Sequence, residues 1–216
     1  MSLASTAAAT GEGGRPARAT ATREAIMAAA ITVLARDGVQ GTTTRRIAQE
    51  AGINLGTLHY HFDGKEAVLL SVLSHLLARV QQELATRFTQ PEPLRERIDS
   101  LIMFIRSQVE QRPDEQVALF NLTLYALATD GSQWLAKKKY EEFLALYRQT
   151  LAEASDVRDG SLKPDLDGLA NFILTGLVGI LLQWLATANG LRSHQAVRML
   201  VQAAQQLYLP SHGDRA

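Results

Sequence analysis

The chain has 216 residues, 22 basic and 22 acidic side chains, no net charge, and is 46% hydrophobic; such a chain can build its own core and is neither disordered nor collagen-like. The absence of cysteine excludes disulfide frameworks, Cys-ligated zinc modules, iron–sulfur clusters and thiol nucleophiles, and fits a reducing, cytoplasmic setting. Zero net charge gives no whole-chain sign of a nucleic-acid partner, so any such partner must be read from a local face.

Residues 1–19 are rich in Ala, Thr, Ser and Gly and are expected to form a flexible arm. The opening MSLASTAAAT has neither a basic start nor a sustained apolar run, so no secretion signal or anchor is expected there. From Thr22, the apolar residues Ile26, Ala29, Ala30, Val33 and Leu34 form a helical stripe that stops at Asp37 and Gly38. Thr42, Thr43 and Thr44 can cap a two-turn helix from Arg45 to Ala51, halted by Gly52. Asn54 or its neighbour opens a further short helix to about His61, and Asp63 is placed to cap a long one from Lys65 to about Phe88. Beyond Pro91 and Pro93, Leu94, Ile98, Leu101, Ile102, Ile105 and Val109 form a stripe ending before Pro113. Helices then follow at about 114–129, 133–154, 165–188 and 192–208, separated by Asp130-Gly131, Asp159-Gly160 with Pro164, and Asn189-Gly190. No stretch alternates as a strand would, so the expected fold is all-α with about nine helices.

Residues 44–58 have the steric logic of a helix-turn-helix. Small Ala48 lets two helices approach, Gly52 permits the tight turn, and Ile47, Ala51, Ile53 and Leu58 form a miniature core. The front of the second helix can then enter a major groove, where Asn pairs with adenine and Thr contacts a phosphate or a thymine methyl; Asn54 and Thr57 qualify. Between residues 15 and 65, seven Arg or Lys stand against four acids, a local basic surplus that DNA binding requires.

The run TTTRRIAQEAGINLGTLHYHFDGKEAVLLSVL resembles the DNA-binding domain of the tetracycline-repressor (TetR) family of transcriptional regulators. The family pattern is met by Thr43, Ile47-Ala48, Ala51-Gly52, Gly56-Thr57-Leu58, Tyr60-His61-Phe62 and Lys65-Glu66, while His59 stands where Tyr is usual. The resemblance implies a helix-turn-helix domain over residues 20–66 and a ligand-binding and dimerisation domain over residues 67–210. It further implies DNA contacts by Thr43, Thr44 and Arg45, by the recognition segment Asn54, Leu55, Gly56, Thr57, His59, Tyr60 and His61, and by Lys65 at a phosphate. With Leu58 and Phe62 available as core, Tyr60 is read as a DNA contact.

Other signals are assigned to structure. His59 and His61, two residues apart on a helix, point about 200° apart and cannot share an ion, so no metal site is expected. Lys137, Lys138 and Lys139 precede Glu141 and Glu142 at helical spacing and are read as one solvated face. Leu169 to Leu191 contains no charge, but Asn171, Thr175, Gly179, Gln183 and Thr187 form one polar or small line on it. With the amphipathic stripe Ala196 to Tyr208 it is expected to build a four-helix homodimer interface and not a membrane span. Phe104, Tyr125, Phe143 and Trp184 are the expected lining of a pocket for a small, mainly apolar effector, whose existence the family resemblance implies. The segments Leu101 to Ile105 and Val117 to Ala128 contain no charge, and Arg106 is the only charge beside them before Glu110, so a charged ligand is expected to lack a partner. No Ser/His/Asp set, phosphate loop or helical metal clamp is present, so neither an enzyme nor a cofactor is expected. The expected whole is a cytoplasmic, ligand-responsive homodimeric repressor of a palindromic operator in double-stranded DNA. The rival is a helical small-molecule carrier or scaffold with a non-functional helix-turn-helix.

Overall fold

The computed structural model describes residues 14–209, with side chains from residue 19 onward. Its helices are α1 Gly14–Gly41, α2 Thr44–Glu50, α3 Leu55–His61, α4 Gly64–Arg87, α5 Leu94–Gln111, α6 Pro113–Ala128, α7 Gln133–Ala152, α8 Ser155–Arg158, α9 Leu166–Thr187 and α10 Gly190–Tyr208. There is no strand among the described residues, and one helix more than the nine expected. The addition is α8, a single turn too short to reveal a period. It closes the start of α5: Asp156 Oδ1 accepts from Leu94 N at 2.8 Å and Ser155 N donates to Glu92 O at 2.9 Å.

Residues 1–13 of the expected arm lie outside the described residues, whereas residues 14–19 are helix. Pro16 falls in the first turn of α1, where its missing N–H costs nothing, so the Ala-rich run that follows extends the helix upstream. At its other end α1 is broken at Gly38, whose φ of 63° lies outside the helical region.

Ile26, Ala30 and Leu34 of α1 bury against Ile47 and Ala48 of α2, Leu58 of α3 and Phe62. Val68, Leu69, Val72, Leu73 and Leu76 of α4 carry the same apolar core into the remaining helices, and residue 66 lies inside that helix. The expected division at 66/67 is therefore crossed by a continuous rod. Asp165 and Asn189 cap α9 and α10 through bonds from Gly168 N and Arg192 N, each at 3.0 Å.

Helix α9 is long and apolar enough to cross a membrane, with mean hydropathy 1.8 over its most apolar window, but it lies against α5, α7 and α10. Leu169, Ile173, Leu174, Leu177 and Leu181 are its buried stripe. Asn171, Thr175, Gln183 and Thr187 are exposed, as are Leu182 beside them and Met199 and Leu207 of α10. The Leu200 side chain of α10 packs directly onto Gly176 of α9: a Cβ there would lie 2.5 Å from a Leu200 methyl. Gly176→Val is expected to destabilise the protein by about 1–3 kcal/mol through overpacking. Urea unfolding measures this, and unchanged stability would contradict the close approach.

Candidate nucleic-acid interface and ligand cavity

Two local caps set the geometry of the head. Thr43 precedes α2 and its hydroxyl accepts from Arg46 N at 3.2 Å; Asn54 precedes α3 and its Oδ1 accepts from Thr57 N at 2.7 Å and from the Thr57 hydroxyl at 3.0 Å. Gly52, with φ 66°, makes the turn between them. Gly56 is left without a Cβ where one would sit 3.3 Å from the capping oxygen of Asn54.

Burial of Leu58 and Phe62 behind α3 turns Leu55, Gly56, His59 and Tyr60 outward together, at the i, i+1, i+4 and i+5 spacing of one helix face. Tyr60 is 84% exposed, which excludes a core role. Its ring meets His61 edge-on at 5.2 Å. Arg45 is exposed on α2 with no partner among the described residues, Thr43 and Asn54 are exposed caps, and Thr44, Thr57 and His61 are half-buried. Lys65 differs from the others. Its Nζ donates to Val39 O at 2.5 Å and lies 5.9 Å from the Tyr125 ring, and partial burial lowers its pKa. The structure thus gives this ammonium an internal acceptor at the end of α1.

Below the head, α4, α5, α6, α7 and α9 surround a cavity. Its interior offers about 70 Å³ to the centre of a water molecule, within about 730 Å³ of empty space that opens to solvent. Leu76 and Val80 of α4, Ile105 and Val109 of α5, Leu119 of α6, and Leu174, Leu177 and Leu181 of α9 form apolar walls. Tyr140, Phe143 and Tyr147 line it from α7, the last two edge-to-face at 6.4 Å.

The four aromatic side chains expected to share one pocket are not brought together. Phe143 lines the cavity, Phe104 faces an open groove with Gln82, Thr86 and Gln111, Trp184 borders a shallow site with Arg192, and Tyr125 lies beside Lys65. Helical phase explains this: α5 presents Ile105 and Val109 inward and turns Phe104 aside, while Tyr125 is six residues beyond Leu119, about 9 Å further along α6.

The expectation that a charged ligand lacks a partner is also corrected, because Arg79, Glu83, Arg112, Glu115 and Lys139 all line the cavity. Arg79 pairs bidentately with Glu115, and Arg112 Nη2 meets Glu83 Oε1 at 2.6 Å. These charges come from α4, the α5–α6 junction, α6 and α7, beyond the uncharged windows on which the expectation rested. Nor do the three lysines of α7 share one face. Lys137 and Lys138 pair with Glu141 and Glu142 one turn on, but Lys139 is buried. The signal was available in the sequence: Lys139 shares a four-residue spacing with Leu135, Phe143 and Tyr147.

Residues 26–72 match the family described as bacterial regulatory proteins, tetR family. The chain is 32% identical over 156 residues to the HTH-type transcriptional repressor KstR2 of Mycolicibacterium smegmatis, covering 70% of this chain and 73% of that one. Among solved structures it is similar to the transcriptional regulator FadR of Bacillus subtilis in complex with stearoyl-CoA (TM-score 0.68, 18% identity, 82% of this chain and 97% of that chain). It is also similar to the SmeT–triclosan complex (TM-score 0.70, 18% identity, 89% and 93%). At such identities both structures speak for the fold alone.

The caps and the outward face respond differently to mutation. Asn54→Ala should cost about 1 kcal/mol of stability and Asn54→Ser only a small part of it, because serine also caps. Tyr60→Ala should leave stability within about 0.5 kcal/mol of the parent while weakening DNA binding. Calorimetry and duplex titration on the same samples check both, and a Tyr60→Ala protein that loses stability but keeps DNA affinity would contradict the exposed geometry.

Proposed function

The chain belongs to the tetR family of bacterial regulatory proteins, and from that premise we propose that it is a cytoplasmic, ligand-responsive repressor that binds a palindromic operator as a homodimer. The observation that carries this reading is the outward face of α3, with Tyr60 84% exposed while Leu58 and Phe62 brace its back. Arg45 adds a free guanidinium, the side chain suited to guanine or phosphate, and Thr43, Thr44, Asn54, Leu55, Gly56, Thr57, His59 and His61 complete the proposed DNA surface. Lys65 reaches a phosphate in this proposal by leaving the Val39 carbonyl.

Homodimerisation is supported by the exposed Leu182, Met199 and Leu207 on α9 and α10. Only 33% of the most apolar window of α9 is buried within one chain, so much of that helix awaits cover. A four-helix bundle between two chains covers it and holds two copies of α3 about one or more duplex turns, about 34 Å each, apart.

A mainly apolar effector bound in the cavity releases the operator in this reading. The apolar walls support it, and two proteins that share the fold hold stearoyl-CoA and triclosan in their own structures. The route to DNA is short. Helix α6 lines the cavity with Glu115 and Leu119, and two residues later Asn121 Nδ2 donates to Leu34 O of α1 at 2.7 Å.

Selection from random duplexes by the full-length protein should yield a palindrome bound by two chains, and Arg45→Ala should lower the salt slope of binding by about one unit. Weak, salt-sensitive binding with no selected site would favour a helical carrier instead, and sedimentation as a monomer at micromolar concentration would remove the dimer. Asn121→Ala should retain operator binding but reduce effector coupling, which in such systems amounts to about 5- to 150-fold. Operator titration with and without effector measures it.

A further inference from the structure

Five charged side chains line the cavity, and four of them neutralise one another. Arg79 and Arg112 are ion-paired with Glu83 and Glu115. The fifth, Lys139, is 5% exposed and has no carboxylate partner among the described residues. Its Nζ donates to Thr123 Oγ1 at 2.8 Å, and that hydroxyl donates onward to the Leu119 carbonyl at 2.8 Å. The rings of Tyr140 and Phe120, with centroids 4.6 and 5.7 Å from Nζ, are the other neighbours that can favour the cation.

A lysine that merely bridged α7 to Thr123 would need no charge. An ammonium kept on the wall of an apolar cavity without a counter-ion is unfavourable, and the group yields by losing basicity: burial pushes Lys139 down to about 8. It remains mostly protonated near neutrality. Lys139 thus puts one positive charge without a carboxylate partner on a wall otherwise made of hydrocarbon, Tyr140 and Tyr147, the amides of Gln108 and Gln116, and four ion-paired charges. Such a site matches one negative charge on an apolar body, whereas a dianion would bring a surplus charge into it.

We propose that the effector is an amphipathic monocarboxylate whose carboxylate pairs with the Lys139 ammonium and whose hydrocarbon body lies along Leu76, Val80, Leu119, Leu174 and Leu177. This rests on the reading of the cavity as the effector site, and it adds the headgroup and its anchor. Tyr140 and Tyr147 are the remaining titratable groups on this wall, and burial pushes Tyr147 further above the range in which it ionises. The carboxylates Glu83 and Glu115 are paired with Arg79 and Arg112, which leaves Lys139 as the charged group without an ion partner to respond to a bound anion.

The test is calorimetric titration of the full-length protein with octanoate, octyl phosphate and 1-octanol. Octanoate should bind about tenfold more tightly than 1-octanol, as expected for an ion-paired hydrogen bond in place of one to a neutral hydroxyl. Lys139→Met, with its fold checked by circular dichroism, should lose that preference. A readout independent of any variant is proton uptake by the parent protein at pH 8.5, seen by repeating the octanoate titration in buffers of different ionisation enthalpy. A carboxylate beside Lys139 raises its pKa and draws a proton in, which a lysine with a purely structural role would not do. Binding of 1-octanol as tight as that of octanoate, octanoate binding without proton uptake, tighter binding of octyl phosphate, or no binding of any of the three would each overturn the proposal. Those outcomes leave the regulatory reading standing if the protein still selects a palindromic operator, and failure of that selection would remove the reading itself.

Discussion

The end of α1 is the constraint on which the geometry of the head depends. The helix breaks at Gly38, and the carbonyls around that break accept from groups further along the chain. Thr42 N and its hydroxyl donate to Gly38 O at 3.1 and 2.7 Å, Arg46 of α2 reaches Gly41 O at 3.2 Å, Lys65 of α4 reaches Val39 O, and Asn121 of α6 reaches Leu34 O. Lysine and arginine at these positions also meet the negative end of the helix dipole. The exposed pairs Arg36–Glu50 and Arg46–Asp37 run alongside, but surface ion pairs contribute little by comparison. Because α2 and α3 share one small core, fixing α2 to α1 fixes the outward face of α3 as well.

The same two body helices that hold α1 also carry three of the five charges of the cavity. Helix α4 has Lys65 at its start and Arg79 and Glu83 in its second half; α6 has Glu115 in its first turn and Asn121 further on. The Arg79–Glu115 pair therefore ties α4 to α6 at the cavity, while Lys65 and Asn121 tie both to α1 at the head. Burial leaves Arg79 Nε, Glu83 Oε2 and Arg112 Nε without hydrogen-bond partners, so the charged set is only partly satisfied. The two helices are thus joined to each other at the cavity and to α1 at the head.

Local rules made the head legible from sequence. Thr43, Gly52 and Asn54 act through neighbours within three residues, so caps and turn could be placed from spacing, while the DNA contacts were implied by the family resemblance. The cavity could not be placed that way, since its walls come from helices spread over more than a hundred residues. Aromatic content singled out Phe104, Tyr125 and Trp184, but aromatic residues serve cores and junctions equally well, and only the phase of each helix against its neighbours separates them. The internal bond of Lys65 was hidden for a related reason: an ammonium fits a carbonyl as well as a phosphate, and side-chain chemistry does not choose between them. Lys139 was obscured by Lys137 and Lys138, whose pairing with Glu141 and Glu142 describes one side of a helix that has two.

Lys139 also carries a cost that bears on why it stands where it does. A base whose folded pKa lies below its unfolded value binds fewer protons in the native state, so stability rises with pH between the two values and is lowest beneath both. For a group taken from 10.5 to about 8, the penalty near neutrality is about 3 kcal/mol, at about 1.4 kcal/mol for each unit. That is a sizeable part of the net stability of an ordinary domain. A leucine or methionine at the same position would continue the Leu135, Phe143 and Tyr147 stripe without this penalty. A carboxylate paired with the ammonium would offset this desolvation, which is the physical reason for placing an anion there.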